Sequence, residues 1–327
     1  MSILVCGGAG YIGSHTVALL KEKGREVVVV DSLYKGHKEA IVEGVKFYQG
    51  DLRDKDFLEK VFQENEIESV IDFAADSLVG ESVIDPLKYF NNNICGTISL
   101  LETMKQFGVK YIVFSSTAAT YGEPKSIPIE EDDDTLPTNP YGESKLSVEK
   151  ILKWCSKAYD IKYTVLRYFN ASGAHISGEI GEDHKPESHL IPIILQVALG
   201  KRDEIKIFGN DYDTKDGTCV RDYIHVTDLS EAHILALDKL KLTNESATYN
   251  LGNGQGFSVM EVINVARKVT GHKIPAIVDA RREGDPAVLI ASSVKAVKEL
   301  NWKPKYNTLE QIIESAWRFH KTHPNGY

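Results

Sequence analysis

The segment Gly7-Gly8-Ala9-Gly10-Tyr11-Ile12-Gly13 stands between a short apolar run, Ile3–Cys6, and a stretch with helical spacing, Ile12–Lys23. Its pattern is G-x-x-G-x-x-G, anchored on Gly7, Gly10 and Gly13. A Cβ at such positions obstructs the tight turn and keeps the backbone away from a pyrophosphate. The helix that follows offers unpaired N–H groups and a partial positive charge to phosphate. Strand, glycine turn and helix in that order predict the opening unit of an α/β sheet built to hold a dinucleotide.

The rest of the first half fits that unit. Apolar runs recur at Val27–Val30, Val45–Tyr48, Val70–Ala74, Tyr111–Ser115 and Tyr163–Arg167. Helical patterns lie between them near Asp54–Gln63, Pro86–Phe107 and Tyr141–Tyr159. Buried parallel strands read as continuous apolar runs because helices cover both sheet faces. The alternation predicts a doubly wound, Rossmann-type parallel sheet over residues 1–170. Asp31 closes the second run, where a carboxylate accepts hydrogen bonds from ribose hydroxyls and repels a 2′-phosphate, so NAD is favoured over NADP. Asp51-Leu52, after the third run, is placed for the adenine edge, although Asp51 alone serves equally as a helix cap.

From about residue 171 to residue 327 the pattern loosens. Helical stretches at Leu190–Leu199, Thr227–Leu240 and Val259–Thr270 alternate with polar loops and short strands near Ile205–Phe208 and Ile274–Val278. This predicts a smaller C-terminal α/β domain, mainly for substrate, with some later segments returning to the first domain. The acidic run Glu130–Asp134 reads as a solvated loop.

Composition narrows the partners. A net charge of −9 argues against a nucleic-acid surface. No apolar run approaches the length of a membrane span. Cys6, Cys95, Cys155 and Cys219 have neither zinc nor disulfide spacing and are expected as free, buried thiols. With Ser2–Cys6 already reading as core, no leader is expected, and the chain is expected to be cytoplasmic.

Tyr141-Gly142-Glu143-Ser144-Lys145 carries the chemistry. Residues four apart share a helix face, so phenol and ammonium converge on one point. A free tyrosine is about one part in a thousand phenolate at neutral pH, an obstacle of roughly 4 kcal/mol. A nearby ammonium and a cationic nicotinamide both favour the phenolate. Ser115-Ser116-Thr117 ends the fifth run, at the sheet edge that also carries the glycine turn. There Thr117 can hydrogen-bond a reacting hydroxyl and relay its proton to Tyr141.

With these residues assembled, the chain resembles the UDP-glucose (UDP-galactose) 4-epimerase family of extended short-chain dehydrogenases/reductases. The resemblance runs through GGAGYIGSH, FAADSLVGES, FSSTAATYG, NPYGESK, LRYFNASGAH, GNDYDTKDGTCVRDYIHVTDL, YNLGNG and RREGDPA. It implies a tightly held NAD touching Gly7, Gly10, Tyr11, Ile12, Gly13, Asp31, Ser32, Gly36, Asp51, Leu52, Phe73, Ala74, Asn92, Ser115, Tyr141, Lys145 and Tyr168. It implies a UDP-sugar touching Thr117, Tyr141, Asn170, His189, Leu190, Phe208, Arg221, Arg282 and Asp285, with Arg221 and Arg282 as pyrophosphate clamps. The implied reaction moves the sugar 4-hydride to NAD, turns the 4-keto sugar over, and returns the hydride to the other face. A homodimer is also implied, through the Pro86–Phe107 and Tyr141–Tyr159 helices.

The chain departs from the family at a few positions. Ser77 stands where many members carry Lys, and Ala171-Ser172 follows LRYFN. His189 replaces a substrate-contacting Asn and can donate the same bond. With Asp183 and His184 beside it a metal site is the lesser reading, and no metal is expected. Val288 aligns, within one residue, with a Tyr that excludes N-acetyl sugars in some members, so UDP-N-acetylhexosamines are expected to fit. Rival readings stay open at this point. A dehydratase needs an acid pair after Thr117, where this chain has Ala118-Ala119. A UDP-uronate epimerase, a dehydrogenase that releases NADH, and a non-enzymatic NAD-binding scaffold are the others.

Overall fold

The computed structural model describes residues 1–282 and 285–327; Glu283 and Gly284, within RREGDPA, lie outside the described residues. The strands of the first half are β1 (Ser2–Cys6), β2 (Val27–Asp31), β3 (Lys46–Gln49), β4 (Ile67–Asp72), β5 (Tyr111–Ser115) and β6 (Lys162–Tyr168). The helices between them are α1 (Tyr11–Glu22), α2 (Lys55–Gln63), α3 (Val79–Ile84), α4 (Pro86–Tyr89), α5 (Gly96–Phe107) and α6 (Pro140–Tyr159). Then come β7 (Asn170–Ser172), α7 (Leu190–Ala198), β8 (Ile205–Phe208), β9 (Val220–Arg221), β10 (Tyr223–His225), α8 (Val226–Thr243), β11 (Ala247–Leu251), β12 (Phe257–Ser258), α9 (Val259–Thr270), β13 (Ala276–Asp279), β14 (Val288–Leu289), α10 (Val294–Leu300) and α11 (Leu309–Thr322).

Strand periodicity builds the layers. Ile3 and Val5 of β1, with Val27 and Val29 of β2, face one helical layer; Leu4 and Cys6, with Val28 and Val30, face the other. The result is a seven-stranded sheet in the order β11-β6-β5-β4-β1-β2-β3, parallel at every pairing. The order reverses between β1 and β4, which is where such sheets bind ligands, outside the strand carboxyl ends.

The expected alternation is observed, with shifts at element ends. The fourth strand stops at Asp72, so Phe73 and Ala74 form the loop above the sheet edge. The single helix expected over Pro86–Phe107 is interrupted: α4 passes into a π-helical stretch, Phe90–Cys95, before α5 begins. Such bulges widen one turn and re-aim side chains, often at functional sites. In the second half, α8 packs on α1 and β11 joins β6, so residues 226–251 belong with the first sheet. Trp302 follows them, its ring buried and its Nε1 donating to the Asp228 carbonyl. Helix α10 joins the same core through Ala296 and Leu300, while α7, β8, α9 and α11 enclose a separate core of Ile191, Ile194, Leu195, Ile207, Val262, Ile263, Ile312 and Ile313.

All four cysteines are free, but only Cys6 and Cys219 are buried; Cys155 is half-buried, and Cys95, at the end of the π-helical stretch, is exposed. The acidic run is only partly solvated: Asp134 pairs with exposed Lys125, yet Glu131 accepts from the Asn250 amide at 2.8 Å and anchors β11. Among the described residues, no helix is long and apolar enough to cross a membrane.

Candidate active site

The glycine turn is packed from within. Gly7 has φ of +71° and a Cβ there would meet Ala74 N at 2.8 Å, so the turn after β1 lies against the Phe73–Ala74 loop after β4. A Cβ on Gly13 would overlap the Gly7 carbonyl. Gly36 is confined by Ala9, whose carbonyl accepts from His37 N at 2.9 Å. Gly10 differs: a Cβ there would meet only the Gly7 oxygen, at 3.3 Å. Gly10 caps α1 without a side-chain acceptor, and the first turn of α1 carries no acid. Its bare backbone therefore presents the helix N-terminus to an anion.

Asp31 holds this turn. One carboxylate oxygen accepts from Ala9 N at 3.0 Å and the other from Leu33 N at 2.8 Å. Burial raises its pKa, with the amide bonds opposing. Ser32 accepts from Tyr34 N, and Leu52 is buried beneath the same edge. Asp51 lies further out, paired with Arg53 at 2.5 Å, which lowers its pKa. Ser77 is exposed.

Catalytic candidates converge where β5 and α6 meet. Asn139 caps α6 by accepting from Gly142 N at 2.9 Å, and Pro140 opens the helix, so Tyr141 sits in its first turn. Tyr141 shares a hydrogen bond with Thr117, yet burial dominates and pushes its phenol up to about 12. One turn on, Lys145 is 3 % exposed; its Nζ donates to the Ser115 carbonyl at 2.8 Å and lies 4.7 Å from the Phe114 ring centre. Burial lowers Lys145 to about 8, against the opposing pull of Asp72 and Glu149. Ser115 Oγ and the Tyr168 hydroxyl are hydrogen-bonded, joining β5 to β6 beside Tyr141.

Sequence reasoning missed two supports of this site. In the π-helical stretch Asn92 is half-buried, while Asn93 is buried and clamps its surroundings. Asn93 accepts from Asp76 N at 2.8 Å and donates to Asp76 O and Ser144 Oγ, each at 3.0 Å. Behind Thr117, Glu149 accepts from Ser116 Oγ at 2.5 Å and from both Nε and Nη2 of Arg167, which also donates to Tyr121. Glu149 lies four residues beyond Lys145, a spacing that marks it as facing the same way.

On the substrate side, Asn170 begins β7 and donates to the Asp222 carbonyl at 3.0 Å. Arg221 on β9 is ion-paired with Asp285, so two expected substrate residues meet each other. Arg282 lies over the Phe208 ring, 4.0 Å from its centre, joining another expected pair. Leu190 opens α7, and His189 is its cap residue. His189 turns Nδ1 to Glu182. Asp183 faces away from His184 and His189, toward His37 at 3.5 Å and Tyr327 N at 3.1 Å. Val288 is half-buried on β14, in register with Val220 beside Arg221.

Known proteins share the sequence and the fold. Residues 3–252 match the model of the NAD dependent epimerase/dehydratase family. A UDP-glucose 4-epimerase of Halalkalibacterium halodurans is 60 % identical over 327 residues, covering 100 % of this chain and 98 % of the relative. A crystal structure of a UDP-glucose 4-epimerase superposes with TM-score 0.99 at 58 % identity, covering 100 % of this chain and 99 % of the other. The Bifidobacterium longum UDP-glucose 4-epimerase, solved with NAD+ and UDP, superposes with TM-score 0.95 at 43 % identity over 100 % of both chains. The chain therefore belongs to the NAD dependent epimerase/dehydratase family.

Proposed function

We propose that this protein interconverts UDP-galactose and UDP-glucose by NAD-dependent epimerisation at C4. The observation that carries the reading is that Tyr141 meets Thr117 and Lys145 grips the Ser115 carbonyl, both at the end of β5, on the sheet edge that also holds the glycine turn. Full-length identity of 60 % to a UDP-glucose 4-epimerase supports the same chemistry.

NAD fits the cofactor residues: the Gly10 backbone is open where Gly7 and Gly13 are filled by their own loop, and Asp31 fixes the turn beside it. Gly7, Gly10, Tyr11, Ile12 and Gly13 would hold the pyrophosphate, Asp31 and Ser32 the adenosine ribose, and Lys145, Tyr168 and Ser115 the nicotinamide end. Bound there, NAD supplies the acceptor and later the donor of the C4 hydride. The Lys145 charge favours Tyr141 as the phenolate before the step; Thr117 orients the sugar 4-hydroxyl and passes its proton to that phenolate, which becomes a phenol. For the return step Tyr141 gives the proton back. Asn170, Leu190, Phe208, Arg221, Arg282 and Asp285 would hold UDP. Tight binding there and loose binding of the hexose let the keto sugar turn over without leaving.

Residues 1–170 with 226–251 and 294–302 form the cofactor unit in this reading, and the remaining C-terminal elements the substrate unit. A second substrate class, UDP-N-acetylhexosamines, is supported by the half-buried Val288, whose small side chain leaves room near Arg221. A homodimer is supported by exposed apolar side chains on α3 to α6, among them Ile84, Leu87 and Trp154. Four unpaired thiols fit a reducing, cytoplasmic setting.

The test is incubation of the purified protein with UDP-galactose, without added NAD, followed by product analysis. UDP-glucose is expected, with NAD recovered from the denatured enzyme. Protein that carries NAD yet converts no UDP-hexose would refute the proposal. Net accumulation of NADH would instead assign a dehydrogenase.

A further inference from the structure

Glu182, His184, Glu187 and His189 lie in the segment leading into α7, and one ligand atom from each comes within 4.8 Å of all the others. His184 Nδ1 is 3.3 Å from Glu182 Oε1 and 3.7 Å from Glu187 Oε2. His189 Nδ1 contacts Glu182 Oε1 and is 3.9 Å from Glu187 Oε1. Both carboxylate side chains are 4 % exposed, and among the described residues their ion-pair partners are these two imidazoles.

Buried charges are paired or coordinate metals. With neutral imidazoles the cluster carries two negative charges, which one divalent cation cancels; otherwise both rings must take protons. The donor set, two imidazole nitrogens and two carboxylate oxygens, suits Zn²⁺. A tetrahedral zinc with bonds of about 2.1 Å places its ligand atoms about 3.4 Å apart; the His184–Glu182 and His184–Glu187 spacings of 3.3 and 3.7 Å match this, while His189 Nδ1, in direct contact with Glu182 Oε1, must draw back as the metal enters. The expectation of no metal weighed Asp183, which faces elsewhere, and left out Glu182 and Glu187.

We propose that Glu182, His184, Glu187 and His189 form a structural Zn²⁺ site. Its position gives it a task. The His184 ring stands edge-on to the Tyr11 ring at 6.3 Å, and Tyr11 belongs to the glycine turn. His189 caps α7, whose first residue is Leu190. A metal here fastens the 182–189 segment between the cofactor turn and the helix assigned to the substrate. It engages His189 through Nδ1 and leaves Nε2 for a ligand.

The experiment uses the full-length protein, stripped of metal by a chelator and titrated with Zn²⁺ by calorimetry and with Co²⁺ by absorption spectroscopy. One equivalent of Zn²⁺ per chain is expected, with proton release and a rise in melting temperature on binding. Co²⁺ should give the intense visible bands of a tetrahedral site. Loss of groups outside the coordination sphere already weakens sites by roughly 10- to 100-fold, so His184→Asn and Glu187→Gln should each lose at least that. His320→Asn, in the same cleft but outside the cluster, should bind as the parent does. Absence of saturable Zn²⁺ binding, or equal affinity in His184→Asn and Glu187→Gln, overturns the proposal. Should a variant not fold, the parent's cobalt spectrum decides: tetrahedral bands uphold the site and a weak octahedral spectrum rejects it.

Discussion

Tyr141 is a neutral phenol in the cofactor-free chain, because burial lifts it to about 12 and the Thr117 hydrogen bond only partly offsets that. Phenolate at neutral pH therefore needs positive charge brought in with the cofactor as well as Lys145. Tyr141→Phe should retain bound NAD and lose turnover by roughly 10²- to 10⁴-fold, the range for a general acid–base group; kinetics and cofactor content together check this. Lys145 stands under the opposite strain. Its folded value, about 8, lies below the ordinary 10.5. Between those values the unfolded chain holds the proton that the folded chain has released, so stability rises with pH from about 8 to 10.5. Below pH 8 the buried ammonium costs up to about 3 kcal/mol. Lys145→Met should therefore melt higher than the parent at pH 7, with the gap closing toward pH 10.5, while its turnover collapses. Thermal melts across that pH range read the effect; a gap that does not change with pH would show that Lys145 is not the group responsible. The YxxxK spacing was enough to find these two residues, but not the state of either: neither burial nor the Ser115 carbonyl that Lys145 grips can be seen in a linear pattern.

At the scale of elements, the glycine turn and α6 follow different logics. Gly13→Ala should disrupt the turn itself, lowering the melting temperature along with NAD content, since a Cβ overlaps the Gly7 carbonyl. Gly10→Ala meets only that oxygen, at 3.3 Å, and should chiefly weaken NAD retention. Equal loss of stability in both variants would contradict a ligand-facing role for Gly10. Helix α6 is tied to β6 by the Glu149–Arg167 pair, in which both side chains are 8 % exposed. Arg167→Met strands a buried carboxylate and should cost about 3–5 kcal/mol in denaturant unfolding. The sequence announced the turn because glycine, strand and helix are adjacent in the chain. It was silent on the Glu149–Arg167 pair and on Asn93, whose partners are separated from them by 17 residues or more. The π-helical stretch was likewise illegible, since its residues keep helical spacing on either side of the bulge.

For the whole molecule, the parallel sheet could be read from apolar runs alone, but the path of the chain after residue 170 could not. β11 looks like any short amphipathic strand, and only pairing with β6 returns it to the first sheet. The surface poses a further question at this scale. Helices α3 to α6 carry Val83 at 63 %, Ile84 at 86 %, Leu87 at 76 % and Trp154 at 68 % exposure, while α6 packs against α3, α4 and α5. Clustered exposed apolar groups on a soluble fold mark an association surface. Pairing two copies of one patch gives a closed twofold dimer, and a stable interface of that kind buries about 1,600 Å². The parent protein should sediment as a dimer. Leu87→Glu combined with Trp154→Glu should sediment as a monomer with unchanged circular dichroism, because neither side chain belongs to the monomer's core and a buried unpaired carboxylate opposes pairing. A parent that is monomeric at micromolar concentration would refute the dimer, and a double variant that remains dimeric would place the contact on another face. The site itself is drawn from elements of one chain, so the monomeric variant should still bind NAD; its turnover would then measure how far the dimer steadies α6 and, through it, Tyr141.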